Sequence, residues 1–170
     1  MPAFCGPSPA VAKSQRLAHG APVNMFSGPF DPAVMSRLLL TRAHPGWLGL
    51  RYRDHGDDWC ELELPWRADL VSDEGSPVLA SGPIVSLLDM AAGMAIWIAN
   101  GEFRPVATLD LRTDYIRPSH ENASVIARVT CYRRTRSAAF VRGRAHDGNR
   151  DDPVAEMSGV FMTIDPARAA

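Results

Sequence analysis

The sequence is poor in cysteine and has no large excess of either charge. Its three cysteines (Cys5, Cys60 and Cys131) are too few and too scattered for a disulfide scaffold, and they form no CxxC pair. A formal net charge of −1 over 170 residues does not suggest a nucleic-acid partner. No charged segment followed by an apolar run stands at the N-terminus, so we expect no secretory signal and a cytoplasmic location.

Several signatures of cofactor, metal and nucleophilic sites are also missing. The sequence contains no GxSxG, no phosphate-binding loop and no GxGxxG. Its five histidines show neither HxxxH spacing nor a triad-like context: His19, His44, His55, His120 and His146. We therefore predict no metal site and no tightly bound cofactor.

The length suits one domain with a short extension. Residues 1–30 are rich in proline, glycine, alanine and serine and have no helical or strand period, so we expect a flexible N-terminal extension and a folded domain over residues 31–166. At the start of that domain, Asp31 is a suitable N-cap and Pro32 a suitable first helical residue. They predict a helix that ends before the His-Pro-Gly sequence at residues 44–46.

Residues 83–100 form the most apolar segment, and Asp89 is its only ionisable side chain. A helix that is apolar on nearly every side must be surrounded by protein or by lipid. The segment is short for a bilayer span, and a central aspartate costs about 2.5–3.5 kcal/mol on insertion. We therefore predict a helix enclosed by protein and no membrane span.

Strand patterns lie on both sides of this predicted helix. They cover residues 47–55, 58–64, 105–117, 123–134, 137–147 and 153–164. Short turns join the last four strands, as in an antiparallel meander. The order of helix, two strands, buried helix and four strands predicts an α+β domain whose curved antiparallel sheet wraps around a central helix.

Two motifs accompany the central helix and the strand after it. Residues 80–89 (ASGPIVSLLD) are similar to the pattern His-Gly-Gly-x-x-x-Ser-Leu-x-Asp, and residues 108–118 (TLDLRTDYIRP) to Thr-x-Asp-Leu-x-x-x-Tyr/Phe-x-Arg-Pro. Both patterns are those of the PaaI-like, hotdog-fold acyl-CoA thioesterases, which the chain resembles over about residues 31–164. The resemblance implies a hotdog fold and hydrolysis of an acyl-CoA thioester, with coenzyme A present only as part of the substrate.

The chain departs from the family pattern in the loop before the helix. The family's histidine falls on Ala80, its first glycine on Ser81, and an asparagine found about six residues earlier on Glu74. These replacements favour a second hypothesis, in which a hotdog dimer binds an acyl-CoA or a lipid-like ligand without turning it over. A hotdog hydratase is a third hypothesis and ranks last, because no histidine lies near Asp89 in the sequence.

Thioester hydrolysis needs a base or nucleophile, hydrogen-bond donors for the oxyanion, and a water molecule. Asp89 is the candidate base or nucleophile, although it could instead only anchor the helix through hydrogen bonds. The main-chain N–H of Gly82, together with that of Ser81, is the candidate donor at the positive end of the helix dipole. The resemblance gives Thr108 the position that orients the attacking water, and an ordinary strand threonine is the alternative.

One helix cannot bring both groups to the same thioester. Gly82 and Asp89 are seven residues apart, or about 10 Å along a helix. A two-fold dimer would place the Gly82 end of one subunit opposite Asp89 of the other. The resemblance implies the same arrangement, with sheets joined edge to edge and often with a tetramer formed from two dimers.

Substrate contacts are harder to predict from the sequence. Arg133, Arg134 and Arg136 cluster at a predicted strand turn and could bind the phosphates of coenzyme A, or they could form a solvated hairpin end. Glu74 could place a second carboxylate near the site, or it could be a solvated loop residue. We expect a medium-sized or aromatic acyl group.

Overall fold

The computed structural model describes residues 30–164. The helices and strands are, in chain order, α1 Pro32–Leu39, α2 Ala43–Leu48, β1 Arg51–His55, β2 Trp59–Leu64, α3 Ser81–Asn100, β3 Val106–Tyr115, β4 Val125–Arg134, β5 Ala138–His146 and β6 Ala155–Thr163. Apart from residue 30, the predicted flexible extension lies outside the described residues, and the predicted domain limits stay a prediction.

The six strands form a single antiparallel sheet in the order β1-β2-β4-β5-β6-β3. The short strand β1 and the long strand β3 are therefore its two edges. Helix α3 packs against this sheet, chiefly against β2 and β4. This arrangement confirms the predicted α+β fold, in which a curved antiparallel sheet encloses a central helix.

The burial of α3 explains its apolar composition. Its sheet-facing side chains, which include Leu87, Leu88 and Ala91, are fully inaccessible to solvent. Among the described helices, α3 is the one that is long and apolar enough to cross a bilayer, and its packing against the sheet accounts for that composition. Gly101 ends the helix with a left-handed φ of 68°, and its N–H donates to the Ile98 carbonyl.

The N-terminal part of the domain agrees with the sequence at α1 and differs from it at α2. Asp31 caps α1 as predicted, because its Oδ1 accepts hydrogen bonds from the N–H groups of Ala33 and Val34. The prediction of one strand over residues 47–55 is wrong at its start, since α2 runs to Leu48. A proline is tolerated in the first turn of a helix, so Pro45 does not prevent α2 from forming.

Candidate active site

Asp89 lies near the middle of α3, beside the edge strand β3. Residues three and four apart share one face of a helix, and Gly82, Ser86 and Asp89 follow this spacing. Ser86 and Asp89 are half-buried, whereas Gly82 is exposed. The apolar residues Leu87 and Leu88 point the other way, into the core. The helix therefore holds its single carboxylate at the boundary between the core and an uncovered surface.

Thr108 on the edge strand β3 hydrogen-bonds directly to Asp89. Its Oγ1 donates to Asp89 Oδ1 over 2.8 Å. The contact depends on a bulge in β3: Thr108 pairs with Phe161 and Asp110 with Val160, so Leu109 is an extra residue in the ladder. Because a bulge redirects side chains, Thr108 reaches the helix and Leu109 is 59% exposed. Two residues singled out in separate motifs thus meet in space.

The N-terminus of α3 is open, as a donor site for an anion requires. Ala80 is the N-cap residue and provides no side-chain hydrogen bond to the first turn. A Cβ built on Gly82 would have no described atom within 4 Å, so the main chain here is accessible. The N–H groups of Ser81 and Gly82 precede Pro83, which has none, and they lie at the positive end of the helix dipole.

Tyr115 connects the end of β3 to this helix start. Its hydroxyl donates to the Ser81 carbonyl over 2.7 Å. Partial burial raises the pKa of Tyr115, so the phenol stays protonated and remains a donor at neutral pH. Strand β3 therefore contacts both candidate parts of the site, the carboxylate through Thr108 and the donor end through Tyr115.

Glu74 lies in the loop that leads to α3. The loop closes at its base, where the Ala80 N–H donates to the Leu70 carbonyl, and Glu74 is exposed near its tip beside Gly75. Within the part of the chain that the structure describes, Glu74 has no hydrogen bond or ion pair with Asp89 or Thr108. Its predicted role as a second carboxylate of the site stays a prediction.

The predicted arginine cluster lies at the other end of α3. The Arg134 guanidinium donates to the Ala99 carbonyl and, over 3.1 Å, to Asn100 Oδ1, so it binds the last turn of the helix. Arg133 and Arg134 also line a cavity of about 560 Å³. Arg134 thus stabilises a helix C-terminus. Contact of Arg133, Arg134 or Arg136 with coenzyme A phosphates stays a prediction.

The structure also brings His44 to α3, which sequence reasoning missed. Its Nε2 lies 3.1 Å from Ser86 Oγ, one turn before Asp89. The two residues are 42 positions apart, and no spacing rule connects them. Among residues 30–164, no three His, Cys, Asp or Glu side chains come together as metal ligands.

Comparison with known proteins relates part of this chain to a superfamily. A family model described as the thioesterase superfamily matches residues 78–154, which include α3 and β3–β5. A search of curated proteins finds no match.

Solved structures with the same architecture include three informative examples. A protein from Pseudomonas aeruginosa is 28% identical with a TM-score of 0.69, and the match covers 78% of this chain and 96% of that one. A thioesterase from Haemophilus influenzae is 20% identical with a TM-score of 0.68, covering 81% and 93%. The phenylacetic acid degradation protein PaaI from Thermus thermophilus, solved as a variant, is 24% identical with a TM-score of 0.60, covering 70% and 96%.

The sheet order and the central helix, taken with these matches, define a hotdog-fold protein. The fold is that of the thioesterase superfamily, and the sequence's resemblance to hotdog-fold thioesterases is confirmed at that level.

Proposed function

We propose that this protein is a cytoplasmic acyl-CoA thioesterase that acts on a medium-sized or aromatic acyl group, with coenzyme A present only as part of the substrate. The observation that carries the proposal is the hydrogen bond between Thr108 Oγ1 and Asp89 Oδ1. It holds in place a carboxylate of the buried helix that stays partly exposed to solvent. A carboxylate that only anchored the helix through hydrogen bonds would not need to be exposed to solvent.

Each chemical requirement of the reaction has a candidate group. Asp89 acts as the base that takes a proton from water, or as the nucleophile itself. Thr108 holds the carboxylate and lies beside the water. The N–H groups of Gly82 and Ser81 stabilise the negative charge that develops on the thioester oxygen, with help from the helix dipole. The C–S bond then breaks and coenzyme A leaves as the thiolate.

The active site in this proposal is shared between two copies of the chain. Asp89 lies about 10 Å along α3 from Gly82, which is too far for both to contact one thioester carbon. The free edge of β3 supports edge-to-edge dimerisation: it is ten residues long, and Leu109 and Ile116 nearby are 59% and 58% exposed. The opposite edge, β1, is half as long and carries charged residues. A pair of such dimers would give a tetramer.

Release of free thiol from a panel of acyl-CoA thioesters tests the proposal. We expect Asp89→Asn to lower kcat by about a hundredfold or more, because the amide is neither a base nor a nucleophile. Asp151→Asn is the matched control, since Asp151 is an exposed aspartate in the turn between β5 and β6, and its kcat should equal that of the unmodified protein.

Two results would contradict the proposal in different ways. Turnover that Asp89→Asn leaves unchanged would remove Asp89 from the mechanism. Saturable binding of a non-hydrolysable acyl-CoA thioether, without hydrolysis of any thioester in the panel, would instead identify a binding protein. The replacement of the family's histidine by Ala80 is the feature that favours that second function.

A further inference from the structure

A histidine from α2 contacts the same face of α3 that carries Asp89. His44 Nε2 lies 3.1 Å from Ser86 Oγ. Ser86 precedes Asp89 by three residues, so the two side chains are neighbours on the helix surface. A serine inside a helix commonly hydrogen-bonds to the carbonyl one turn earlier. Within the described part of the chain, the Ser86 hydroxyl instead has the imidazole as its partner.

The main chain around His44 is constrained to hold it there. Ala43 has a φ of 50°, which is a left-handed conformation. This conformation is energetically unfavourable for any residue other than glycine, and it persists only where the surrounding structure enforces it. A Cβ on Gly46 would lie 2.6 Å from the carbonyl carbon of Thr41, so the close approach of α2 to the preceding turn requires glycine. An unusual backbone conformation at Ala43 and a tight main-chain contact at Gly46 therefore lie on either side of His44.

The imidazole is also supported by an aromatic ring. His44 stacks on Trp47 with ring centroids 6.0 Å apart and an interplanar angle of 21°. The Arg67 guanidinium lies 5.8 Å from the Trp47 ring, and its Nη1 donates to the Trp47 carbonyl over 2.6 Å. The indole is nevertheless 56% exposed. His44 is thus held between Ser86 and Trp47, at a solvent-exposed surface.

The position of Ser86 on α3 relates the contact between His44 and Ser86 to the reaction. Ser86 lies between Gly82 and Asp89 along one face of α3. In a dimer that sets the Gly82 end of one subunit against Asp89 of the other, Ser86 borders the crevice where the thioester and the water meet. The hydroxyl is one helical turn from the carboxylate that activates the water.

We propose that Ser86 binds the attacking water and that His44 is a positioning residue for the Ser86 hydroxyl; this inference rests on the proposed thioesterase function. In the tautomer that carries its proton on Nδ1, His44 Nε2 accepts the Ser86 O–H, and the oxygen lone pairs of Ser86 are then available to the water. One hydrogen of the water is then bound by Ser86 Oγ, and the other is taken by Asp89 as the water oxygen attacks the thioester carbon. The C–S bond breaks and the thiolate departs.

Steady-state kinetics on the full-length protein test this inference. We expect Ser86→Ala and His44→Ala each to lower kcat by about tenfold to a hundredfold, with KM changed less than about threefold. His44→Gln should recover most of kcat, because its amide oxygen can accept the Ser86 hydrogen bond. The matched control is His55→Gln, in which an exposed histidine bonded to Tyr52 on β1 is replaced, and it should behave as the unmodified protein.

A second measurement separates a role in catalysis from a role in folding or binding. The Kd of a non-hydrolysable acyl-CoA thioether and the thermal unfolding midpoint should be unchanged in Ser86→Ala. Unchanged kcat in Ser86→Ala and His44→Ala, or a loss confined to thioether affinity, would overturn the inference and leave the thioesterase proposal intact. If the unmodified protein hydrolyses no thioester, the thioesterase proposal fails first and the water-binding role fails with it.

Discussion

Asp147 and Asp89 show how the hydrogen bonds around an aspartate determine whether it is structural or available to a ligand. Asp147 is completely buried at its side chain and accepts hydrogen bonds from the Arg117 guanidinium over 2.7 and 2.9 Å and from the His120 N–H over 2.6 Å. Within residues 30–164, Asp89 accepts one hydroxyl hydrogen bond, from Thr108. A carboxylate can accept about four hydrogen bonds, so Asp89 keeps capacity for a water whereas that of Asp147 is largely filled. Asp147 is therefore structural.

The Arg117–Asp147 pair predicts how stability depends on pH. The Arg117 guanidinium beside Asp147, together with the His120 N–H, holds the pKa of that carboxyl well below its usual range. Because the unfolded chain binds the proton more tightly, the pair stabilises the fold above about pH 4, and this contribution is lost as pH falls further. We expect Asp147→Asn to reduce the free energy of unfolding at pH 7 by about 3 kcal/mol and to flatten its decline in acid.

Urea denaturation from pH 7 to pH 3 measures this contribution. Asp152 also pairs with Arg117, but its side chain is 56% exposed. Asp152→Asn should therefore change the free energy of unfolding by less than about 1 kcal/mol. Equal effects of the two substitutions would show that burial does not set the strength of this interaction.

At the scale of elements, strand β3 and helix α3 position the site together. The bulge at Leu109 turns Thr108 toward Asp89, and Tyr115 at the end of the same strand contacts the start of α3. Strand β3 keeps this position because β6 pairs with it along its length, and β6 in turn pairs with β5. Close packing between strands in this sheet is therefore a condition for the site.

The contact between β4 and β5 gives a prediction about stability. A Cβ on Gly143 in β5 would lie 2.6 Å from the Arg128 carbonyl oxygen and 2.9 Å from Val129 Cα, both main-chain atoms of β4. Since neither atom can move independently of its strand, Gly143→Ala should lower the free energy of unfolding by about 1–3 kcal/mol.

Gly93→Ala in α3 is the comparison for that substitution. Its Cβ would meet Trp97 and Val106 at 3.8–4.0 Å, which is ordinary van der Waals contact. Alanine also has the higher helix propensity, so we expect a gain of up to about 1 kcal/mol. Denaturant unfolding of both variants measures the difference, and equal stability of Gly143→Ala and the unmodified protein would contradict the packing argument.

At the scale of the whole molecule, the two sheet edges differ in what they leave exposed. The β3 edge is ten residues long and carries exposed Leu109 beside charged Asp110 and Arg112, whereas the five-residue β1 at the other edge is mostly charged. An exposed long edge with apolar side chains favours pairing with another chain, and charges on a short edge oppose it. We therefore expect the proposed dimer to form through β3.

Leu109→Lys tests the dimer. A buried, unpaired ammonium at the interface should shift the protein to monomers in sedimentation or light-scattering measurements and abolish turnover, while circular dichroism stays unchanged. Val34→Lys on α1 is the control, because Val34 is 49% exposed and α1 packs beside β1, at the opposite edge from β3. A Leu109→Lys protein that stays dimeric and active would contradict dimerisation through β3.

A subunit-mixing experiment tests whether the site is shared. Gly82→Pro removes one oxyanion donor at a position in the first helical turn where proline is tolerated. Mixed with Asp89→Asn, it should form hybrid dimers with one intact site, so that an equal mixture recovers about a quarter of the unmodified activity. No recovery in proven hybrids would mean that each subunit contains a complete site of its own.

The sequence by itself predicted most of the elements and the candidate site residues. Alternation and helix-boundary residues placed α1, the central helix and five strands to within about two residues of their final limits, because local periodicity reports which face of an element is buried. The motifs identified Asp89, Gly82 and Thr108. The sequence did not predict α2, because the His-Pro-Gly sequence at residues 44–46 has the composition of a turn.

Only the tertiary structure decided which of these residues meet. Alternation alone puts Thr108 on the face opposite Leu109, and the bulge that redirects it toward Asp89 depends on pairing with β6. His44 reaches Ser86 across 42 residues because α2 packs on α3. Arg134 binds a main-chain carbonyl group in the last turn of α3, and no local sequence pattern predicts this contact. Periodicity is a property of neighbours in the chain, whereas an active site is formed by groups that packing brings together.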